Sequence, residues 1–212
     1  MPMPDEPFLN FARWYDPIFE NLLGGLRAVA ARVAPPREGM KVLDIGCGTG
    51  AQLDIYHAAG CQVYGIDLSQ PMIKVARSKL GEGVVLSVGD ALRIPHPDQA
   101  FDLVISSLFI HQLQPGLRTA MLEEAGRVLK PEGQILLVDF HVQAKRSLLG
   151  KLTYAFISII EFFAGWEHFS NSRDFLANGG IPTLASGLEL GIRKSIIVGK
   201  GNLGVYLLRP VD

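Results

Sequence analysis

The stretch Val42-Leu43-Asp44-Ile45-Gly46-Cys47-Gly48-Thr49-Gly50 decides the fold of this 212-residue chain. A short apolar run leads into three glycines within five positions, and a segment of helical composition follows at residues 51–59. Glycines after a strand allow a left-handed backbone and let a ligand approach the main chain, while the next helix presents its N-terminal amides. A plain turn between strand and helix needs fewer glycines. The stretch therefore predicts a ligand-binding loop after the first strand of an α/β sheet.

Strand and helix signals alternate on both sides of this loop. The strands are predicted at residues 41–45, 62–66, 84–88, 101–106 and 134–140, and the helices at 51–59, from an N-cap at Ser69 to about Leu80, and at 119–129. Strands joined by helices predict a mostly parallel sheet, whereas residues 194–199 and 203–208 predict an antiparallel hairpin. A turn is expected at 130–133. We therefore expect a Rossmann-like, mostly parallel seven-stranded sheet with helices on both faces and a C-terminal antiparallel hairpin.

Three carboxylates follow the first three predicted strands. Asp44 and Asp67 end the first and second strands, and Asp90 follows the third. Since ligands bind outside the carboxyl ends of such sheets, the three are expected to converge on one crevice. The pattern G-x-G-x-x-A at residues 46–51 also satisfies the relaxed dinucleotide fingerprint, with Asp67 about twenty residues further on. An anionic pyrophosphate would gain nothing from Asp44, whereas an ammonium or sulfonium group would, so a cationic ligand is favoured over a dinucleotide.

Composition excludes several classes of protein. The chain is 48% hydrophobic with a formal net charge of −1, which argues against disorder and against broad nucleic-acid binding. Its two cysteines form no CxxC pattern or Cys/His cluster, so no metal site is predicted. The segment Met1–Asn10 carries acid and proline instead of the basic and apolar regions of a signal peptide. A cytoplasmic location is therefore expected.

Five motifs carry a resemblance to a known family. They read DIGCGTG from Asp44, YGIDLSQPM from Tyr64, VGDALRIP from Val88, FDLVISSLFIHQL from Phe101 and RVLKPEGQILLVDF from Arg127. In order and spacing, about residues 10–140 resemble the class I S-adenosylmethionine (SAM)-dependent methyltransferases. The variant most resembled is the small-molecule group that includes ubiquinone/menaquinone C-methyltransferases.

The resemblance implies SAM as the cofactor and S-adenosylhomocysteine as the product. It implies that a loop of Gly46, Gly48 and Gly50, with Cys47 inside it, surrounds the methionine portion of SAM near Asp44. It further implies the following contacts: Asp67 with the ribose hydroxyls, Asp90 with the adenine amino group, the Ala91 amide with the ring, Leu68 and Met72 beside the adenine, Ser106 beneath the sulfonium, and Tyr15 over the cofactor.

His111 is the candidate catalytic base. A base is needed only where the acceptor must lose a proton, as a phenol or an activated ring carbon does. His111 follows the fourth strand and is expected to face the crevice, where related sequences often have histidine. The competing interpretation is a structural histidine at a helix start, bonded to the backbone. His141 is a weaker second candidate, and His57 and His96 are expected at the surface.

Aromatic residues concentrate at the two ends of this scaffold, in the first twenty positions and between residues 140 and 175. The segment Leu148–Trp166 predicts an amphipathic helix with an apolar stripe that includes Leu149, Leu152 and Ile159. Lys151, Ser158 and Glu161 form the opposite stripe. A core helix, a lid over a lipophilic substrate and an interfacial helix that touches a bilayer are the three interpretations, and the lid is favoured. The predicted substrate residues are Trp14, Phe156, Phe163 and His168.

The expected organisation is one methyltransferase domain. It comprises an N-terminal helical cover (1–35), a cofactor-binding core (36–140), a helical lid insertion (141–190) and a closing hairpin (191–212). The expected reaction is methyl transfer by in-line displacement to a small apolar or aromatic molecule, with no nucleic-acid partner. Phospholipid or amine N-methylation, a nicotinamide-dependent oxidoreductase and a SAM-binding protein without turnover remain rivals, and the oligomeric state is open.

Overall fold

The computed structural model describes residues 25–142, 147–163 and 165–211, except for the side chains of residues 156, 157, 160 and 163. Within this part of the chain, no helix is long and apolar enough to cross a membrane. Residues 25–33 form a helix, α1, that leads to the sheet. Its buried residues include Ala30 and Val33, and Tyr56 Oη donates a hydrogen bond to Ala34 O at 2.8 Å.

Seven strands form one sheet in the order β3-β2-β1-β4-β5-β7-β6. Their bounds are β1 Lys41–Ile45, β2 Gln62–Asp67, β3 Val85–Val88, β4 Phe101–Ser107, β5 Leu129–Phe140, β6 Leu190–Val198 and β7 Leu203–Pro210. The first five strands pair in parallel, and β7 pairs antiparallel with both β5 and β6. The predicted seven-stranded sheet with its C-terminal hairpin is therefore confirmed.

Six further helices connect or cover the strands. They are α2 Ala51–Ala58, α3 Gln70–Leu80, α4 Pro115–Val128, α5 Leu148–Phe163, α6 Trp166–Ala177 and α7 Gly180–Ser186, and a 3-10 turn spans Ile110–Gln112. Ser69 is the N-cap of α3, as predicted, and its Oγ accepts a hydrogen bond from Met72 N. The helix predicted at 119–129 begins earlier, because Pro115 fits the first turn of a helix, where its missing N–H is not needed.

Two predicted boundaries are wrong for identifiable reasons. The turn expected at 130–133 lies inside β5, where Phe101 pairs with Leu129 and Leu103 with Gln134, so these residues loop out between two paired segments. The helix expected to run through Leu148–Trp166 is divided, because Gly165 has φ 128°, a value that breaks helical geometry.

Several side chains differ from expectation in their exposure. His57 and His96, expected at the surface, are both half-buried, and His96 packs edge-on against the rings of Tyr64 and Phe101. In α5, Leu149, Leu152 and Ile159 are exposed, with Leu152 at 61%, whereas Glu161 is only 9% exposed. The expectation that Leu149, Leu152 and Ile159 face the protein or its substrate is therefore wrong. Contact of α5 with a bilayer stays a prediction.

Candidate active site

The glycine loop joins β1 to α2 with all three of its glycines in the left-handed region. Gly46, Gly48 and Gly50 have φ of 72°, 52° and 74°. The amides of Gly46 and Cys47 donate to Ile66 O, which ties the loop to β2. A Cβ on Gly46 would lie 2.5 Å from the Phe109 ring, whereas one on Gly48 would enter open space. Only glycine therefore fits at Gly46, and the backbone at Gly48 is open to an approaching ligand.

Asp44, at the end of β1, carries a buried carboxyl group whose burial its surroundings offset only in part. It is 2% exposed, and its Oδ1 accepts no hydrogen bond from any described residue. Burial, and then the nearby charge of Asp67, raise the pKa of Asp44 well above its usual range, while Arg27 opposes them. Such a group is expensive to bury unless a cation or donor completes it. Asp44 therefore indicates a site for a positively charged or donor-rich ligand.

Two more buried polar side chains near the loop lack partners among the residues described. They are Ser106, whose Oγ lies near the end of β4, and Gln52, whose amide oxygen and nitrogen lie in the first turn of α2. Because Asp44 is paired with Ile105, Ser106 lies one residue beyond it on the neighbouring strand. Gln52 was not predicted, and the only signal for it is a polar residue directly after the glycine loop. Buried polar atoms without partners that are concentrated in one region indicate a ligand-binding site.

Asp67 organises the next turn of the crevice. Its Oδ2 accepts a hydrogen bond from Gly48 N and its Oδ1 one from Ser69 N, both at 2.8 Å. Burial raises the pKa of Asp67, and these two hydrogen bonds partly offset the rise. One carboxylate therefore connects the glycine loop to the start of α3.

The predicted adenine contacts surround this turn. Leu68 is 70% exposed and Met72 half-buried, while Gly89 N donates to Asp67 O and brings the end of β3 beside β2. Asp90 is exposed and its Oδ1 accepts a hydrogen bond from Leu92 N; Ala91 is buried. An exposed apolar side chain next to the carboxylates of Asp67 and Asp90 suits a planar ring with donor groups.

Other predicted cofactor and substrate residues are less informative. The Cys47 side chain packs toward Gly65, and burial raises the pKa of its thiol, so only its backbone is available to the loop. Tyr15 and Trp14 lie outside the described residues. Phe156 and Phe163 belong to α5, but their side chains are outside the description as well.

His111 lies in the 3-10 turn after β4 and is held by the end of β5. Leu108 adopts a left-handed φ of 53°, uncommon for a residue with a side chain, and turns the chain there. Asp139 Oδ2 accepts a hydrogen bond from His111 N, and Asp139 Oδ1 lies 2.6 Å from His111 Nδ1. Because the carboxylate accepts, Nδ1 carries the proton of this bond. The side chain is thus bonded to a carboxylate instead of the backbone, and the choice between a catalytic base and a structural histidine stays a prediction.

Glu161 of α5 and His168 of α6 complete a buried cluster with His111. Glu161 Oε2 lies 3.5 Å from His111 Nε2 and 2.8 Å from His168 Nε2. Burial lowers the pKa of His111, but the carboxylates of Asp139 and Glu161 outweigh it and raise the value to about 9. Burial raises the pKa of Glu161, and the two histidines outweigh it and lower the value to about 2.

Sequence reasoning missed two of these four residues as site residues. Asp139 carried a signal, because it lies near the carboxyl end of a predicted parallel strand. Glu161 was assigned to an outward stripe, and nothing local to α5 distinguishes it from a solvated glutamate. His168 was predicted to contact substrate, and it lies 5.4 Å from His111, measured between ring centroids.

A buried arginine holds α6 against the turn that carries His111. Arg118 of α4 is 4% exposed, donates to Leu113 O and Asn171 O, and pairs with Asp174 at 2.7 Å. Its guanidinium also lies over the Phe175 ring, 5.3 Å from the centroid. Since these partners come from both sides of the contact, Arg118 positions α6, and with it His168, beside His111.

A narrow cleft lies next to the cluster of His111, Glu161 and His168. Its enclosed volume is about 10 Å³, and its lining combines aromatic and polar side chains: Phe140, His141, Tyr154, Ser158, Glu161, Phe169, Ser172, Arg173, Leu176 and Asn202. His141 is held there by Tyr206 Oη, 2.6 Å from its Nδ1. The cleft has room for about one water molecule, and a lipophilic pocket for the substrate stays a prediction.

Comparisons with known proteins agree with this architecture. Residues 43–137 match the family model described as a methyltransferase domain. An uncharacterized methyltransferase of Geobacillus kaustophilus is 33% identical over 125 residues, which is 59% of this chain and 58% of that protein. The ubiquinone/menaquinone biosynthesis C-methyltransferase UbiE of Bordetella avium is 36% identical over 153 residues, 66% of this chain and 58% of the relative.

Solved structures show the same fold. The SAM-dependent methyltransferase of Aquifex aeolicus superposes with a TM-score of 0.62 at 22% identity, over 86% of this chain and 88% of that one. This chain spans less than two thirds of the length of the curated relatives described above. Residues 43–137 are nevertheless the part that carries β1 to β5 and the glycine loop. Residues 43–137 of this chain therefore match a methyltransferase domain, and the chain is similar to methyltransferases that include the ubiquinone/menaquinone C-methyltransferase of Bordetella avium.

Proposed function

We propose that the protein transfers a methyl group from SAM to a small molecule that contains an aromatic or conjugated ring and a polar substituent. The observation that carries the proposal is Asp44, a buried carboxyl with an unpartnered oxygen beside the glycine loop. SAM supplies an amino-acid ammonium and a sulfonium, and its methyl is reactive enough for direct displacement. The residues of the crevice fit this group better than they fit an anionic pyrophosphate.

Each part of the crevice has a proposed task. Asp44 and the amides of the glycine loop bind the methionine portion, and Asp67 binds the ribose hydroxyls with the lone pairs that its two backbone hydrogen bonds leave over. Leu68 and Met72 flank the adenine. The protein chiefly aligns the acceptor with the methyl and excludes water, because alignment supplies much of the rate in such displacements.

The acceptor is proposed to bind in the cleft between β5, α5 and α6. The rings of Phe140, Tyr154 and Phe169 suit an aromatic acceptor, and Ser158 and Glu161 suit its polar substituent. Because the enclosed volume is only about 10 Å³, α5 and α6 must move outward for such a molecule to enter. His111 is proposed to handle the acceptor's proton. It would do so poorly as a lone base near pH 7, since its pKa of about 9 keeps it protonated.

A two-step experiment tests the proposal. Thermal unfolding with SAM, S-adenosylhomocysteine and NAD(P)H should show stabilisation by the first two only. Labelled SAM is then incubated with the protein and an extract of cell lipids and metabolites, and labelled products are separated by mass and polarity. Stabilisation by a dinucleotide alone would overturn the assignment. Binding of SAM with no labelled product in the extract would support a SAM-binding protein without turnover.

A further inference from the structure

Three potential metal ligands converge where the 3-10 turn meets the two inserted helices. His111, Glu161 and His168 each offer one ligand atom, and these three atoms all lie within 4.8 Å of one another. The His111 and Glu161 side chains are 3% and 12% exposed, and that of His168 is 23% exposed. The three residues come from three different elements, so their convergence is a property of the tertiary structure.

The hydrogen bonds of His111 determine what its second nitrogen can do. Nδ1 donates to Asp139, so in a neutral imidazole Nε2 carries a lone pair. That nitrogen faces Glu161 Oε2 at 3.5 Å, and neither atom has a hydrogen-bond partner among the described residues. Glu161 Oε2 is also close to His168 Nε2, at 2.8 Å, but without hydrogen-bond geometry. Two buried acceptors that face each other require a cation between them, either a proton or a metal ion.

We propose that His111, Glu161 and His168 bind a divalent transition-metal ion, for which Zn²⁺ is the appropriate probe. Two imidazole nitrogens and one carboxylate oxygen are a common ligand set for Zn²⁺ and for other first-row divalent ions. With each ligand about 2.0–2.1 Å from a tetrahedral ion, ligand atoms lie roughly 3.4 Å apart. The spacing of 3.5 Å between His111 and Glu161 meets this requirement, and the 2.8 Å between Glu161 and His168 would open slightly.

The surroundings also suit a metal ion. Asp139 accepts the hydrogen bond of His111 Nδ1. A carboxylate in this position is the usual outer partner of a metal-bound histidine, because it fixes the orientation and the tautomer of the ring. The carboxylates of Asp139 and Glu161 together carry two negative charges, so a divalent ion with neutral imidazoles neutralises the cluster. Three protein ligands leave a fourth position open, and Glu161 also lines the cleft.

The role of the ion rests on the proposed function, whereas its binding does not. An oxygen of the acceptor in the fourth position would lose its proton more readily, because a bound divalent ion lowers the pKa of its ligand. The proton would pass to water, and His111 Nε2, occupied by the ion, would not take it. In the metal-bound protein His111 is therefore a ligand, and its Nε2 is available to the acceptor's proton only in the metal-free protein.

Metal binding can be measured directly on protein prepared without a histidine tag. After treatment with a chelator and dialysis, titration with Zn²⁺ by calorimetry should show one equivalent bound, and Co²⁺ should give the visible absorption of a tetrahedral site. His168→Ala and Glu161→Gln should weaken Zn²⁺ binding more than about tenfold. The matched control is His57→Ala, a half-buried histidine on α2, which should bind as wild type does.

The outcomes separate this inference from the proposed function. Thermal stabilisation by SAM should persist in His168→Ala, which shows that the variant is folded and that the cofactor site is intact. Absence of stoichiometric binding in wild type, or equal affinity in wild type and His168→Ala, overturns the metal site and means that protons occupy the cluster. Zn²⁺ binding without any SAM binding would leave the metal site standing and refute the methyltransferase proposal.

Discussion

Asp44 should lower the stability of the ligand-free protein while it raises affinity for the cofactor. Its Oδ1 is buried and unpartnered among the described residues, and such an atom costs about 1–3 kcal/mol of folding free energy. Asp44→Asn removes the charge at nearly constant volume. We expect the free energy of unfolding of the ligand-free protein to rise by about 1–2 kcal/mol at pH 7. We also expect SAM affinity to fall roughly 10- to 100-fold, as one charge-assisted contact is lost.

The difference in the free energy of unfolding between wild type and Asp44→Asn should change with pH in a defined direction. The pKa of Asp44 is raised in the folded protein, so the unfolded chain gives up this proton first as the pH rises above about 4. Between that pH and the folded-state pKa, the folded protein keeps a proton that the unfolded chain has released, so the free energy of unfolding falls as the pH rises. The gain from Asp44→Asn should be absent near pH 3 and grow with pH.

Urea unfolding of both proteins at several pH values measures this difference, and calorimetry measures SAM affinity. Asp54→Asn is the matched control, because Asp54 is exposed on α2 and its substitution should change stability by less than about 0.5 kcal/mol. If Asp44→Asn were less stable than wild type at pH 7, or bound SAM equally well, the carboxyl would be a satisfied structural group and the reasoning would be refuted.

Three further perturbations test the crevice and the helix that covers it. Asp67→Ala should abolish SAM binding in calorimetry and also lower stability by about 2–3 kcal/mol, because two backbone amides lose their acceptor. Gly48→Ala should weaken SAM binding at a stability loss of roughly 1 kcal/mol. Gly65→Ala should instead lower the free energy of unfolding by about 1–3 kcal/mol, because its Cβ would lie 2.8 Å from neighbouring side-chain atoms. Equal SAM affinity in Gly48→Ala and Gly65→Ala would contradict this contrast. Arg118→Met should lower the free energy of unfolding, measured in urea, by about 3 kcal/mol. Arg193 is exposed, so Arg193→Met should leave this free energy nearly unchanged. A loss below about 1 kcal/mol in Arg118→Met would mean that Arg118 does not anchor α6.

The half of the crevice around the glycine loop could be predicted from the sequence because its determinants are local. Each strand ends where an apolar run stops, and a parallel sheet brings the carboxyl ends of its strands to one edge. Asp44 and Asp67 could thus be assigned to a common crevice without any knowledge of side-chain packing. Gln52 was missed because a glutamine in the first turn of a helix is ordinarily solvated.

The other half could not be predicted, because it depends on contacts between residues far apart in the chain. The apolar stripe of α5 predicted an inward face, yet Leu152 is exposed and Glu161 is buried. Burial of a glutamate is favourable only with compensating charge, and the histidines that supply it stand fifty positions before and seven after it. Periodicity along a helix identifies two faces but does not say which of them has partners.

The two halves of the crevice are linked mechanically through the end of β4. Ser106 contributes an unpartnered hydroxyl near the cofactor loop, and His111 follows only five residues later. Between them, Leu108 N donates to Val138 O at 2.7 Å, and the Phe109 ring packs against Gly46 so closely that no Cβ fits there. The glycine loop and the turn that carries His111 are therefore joined by direct packing between Gly46 and Phe109, two residues before His111.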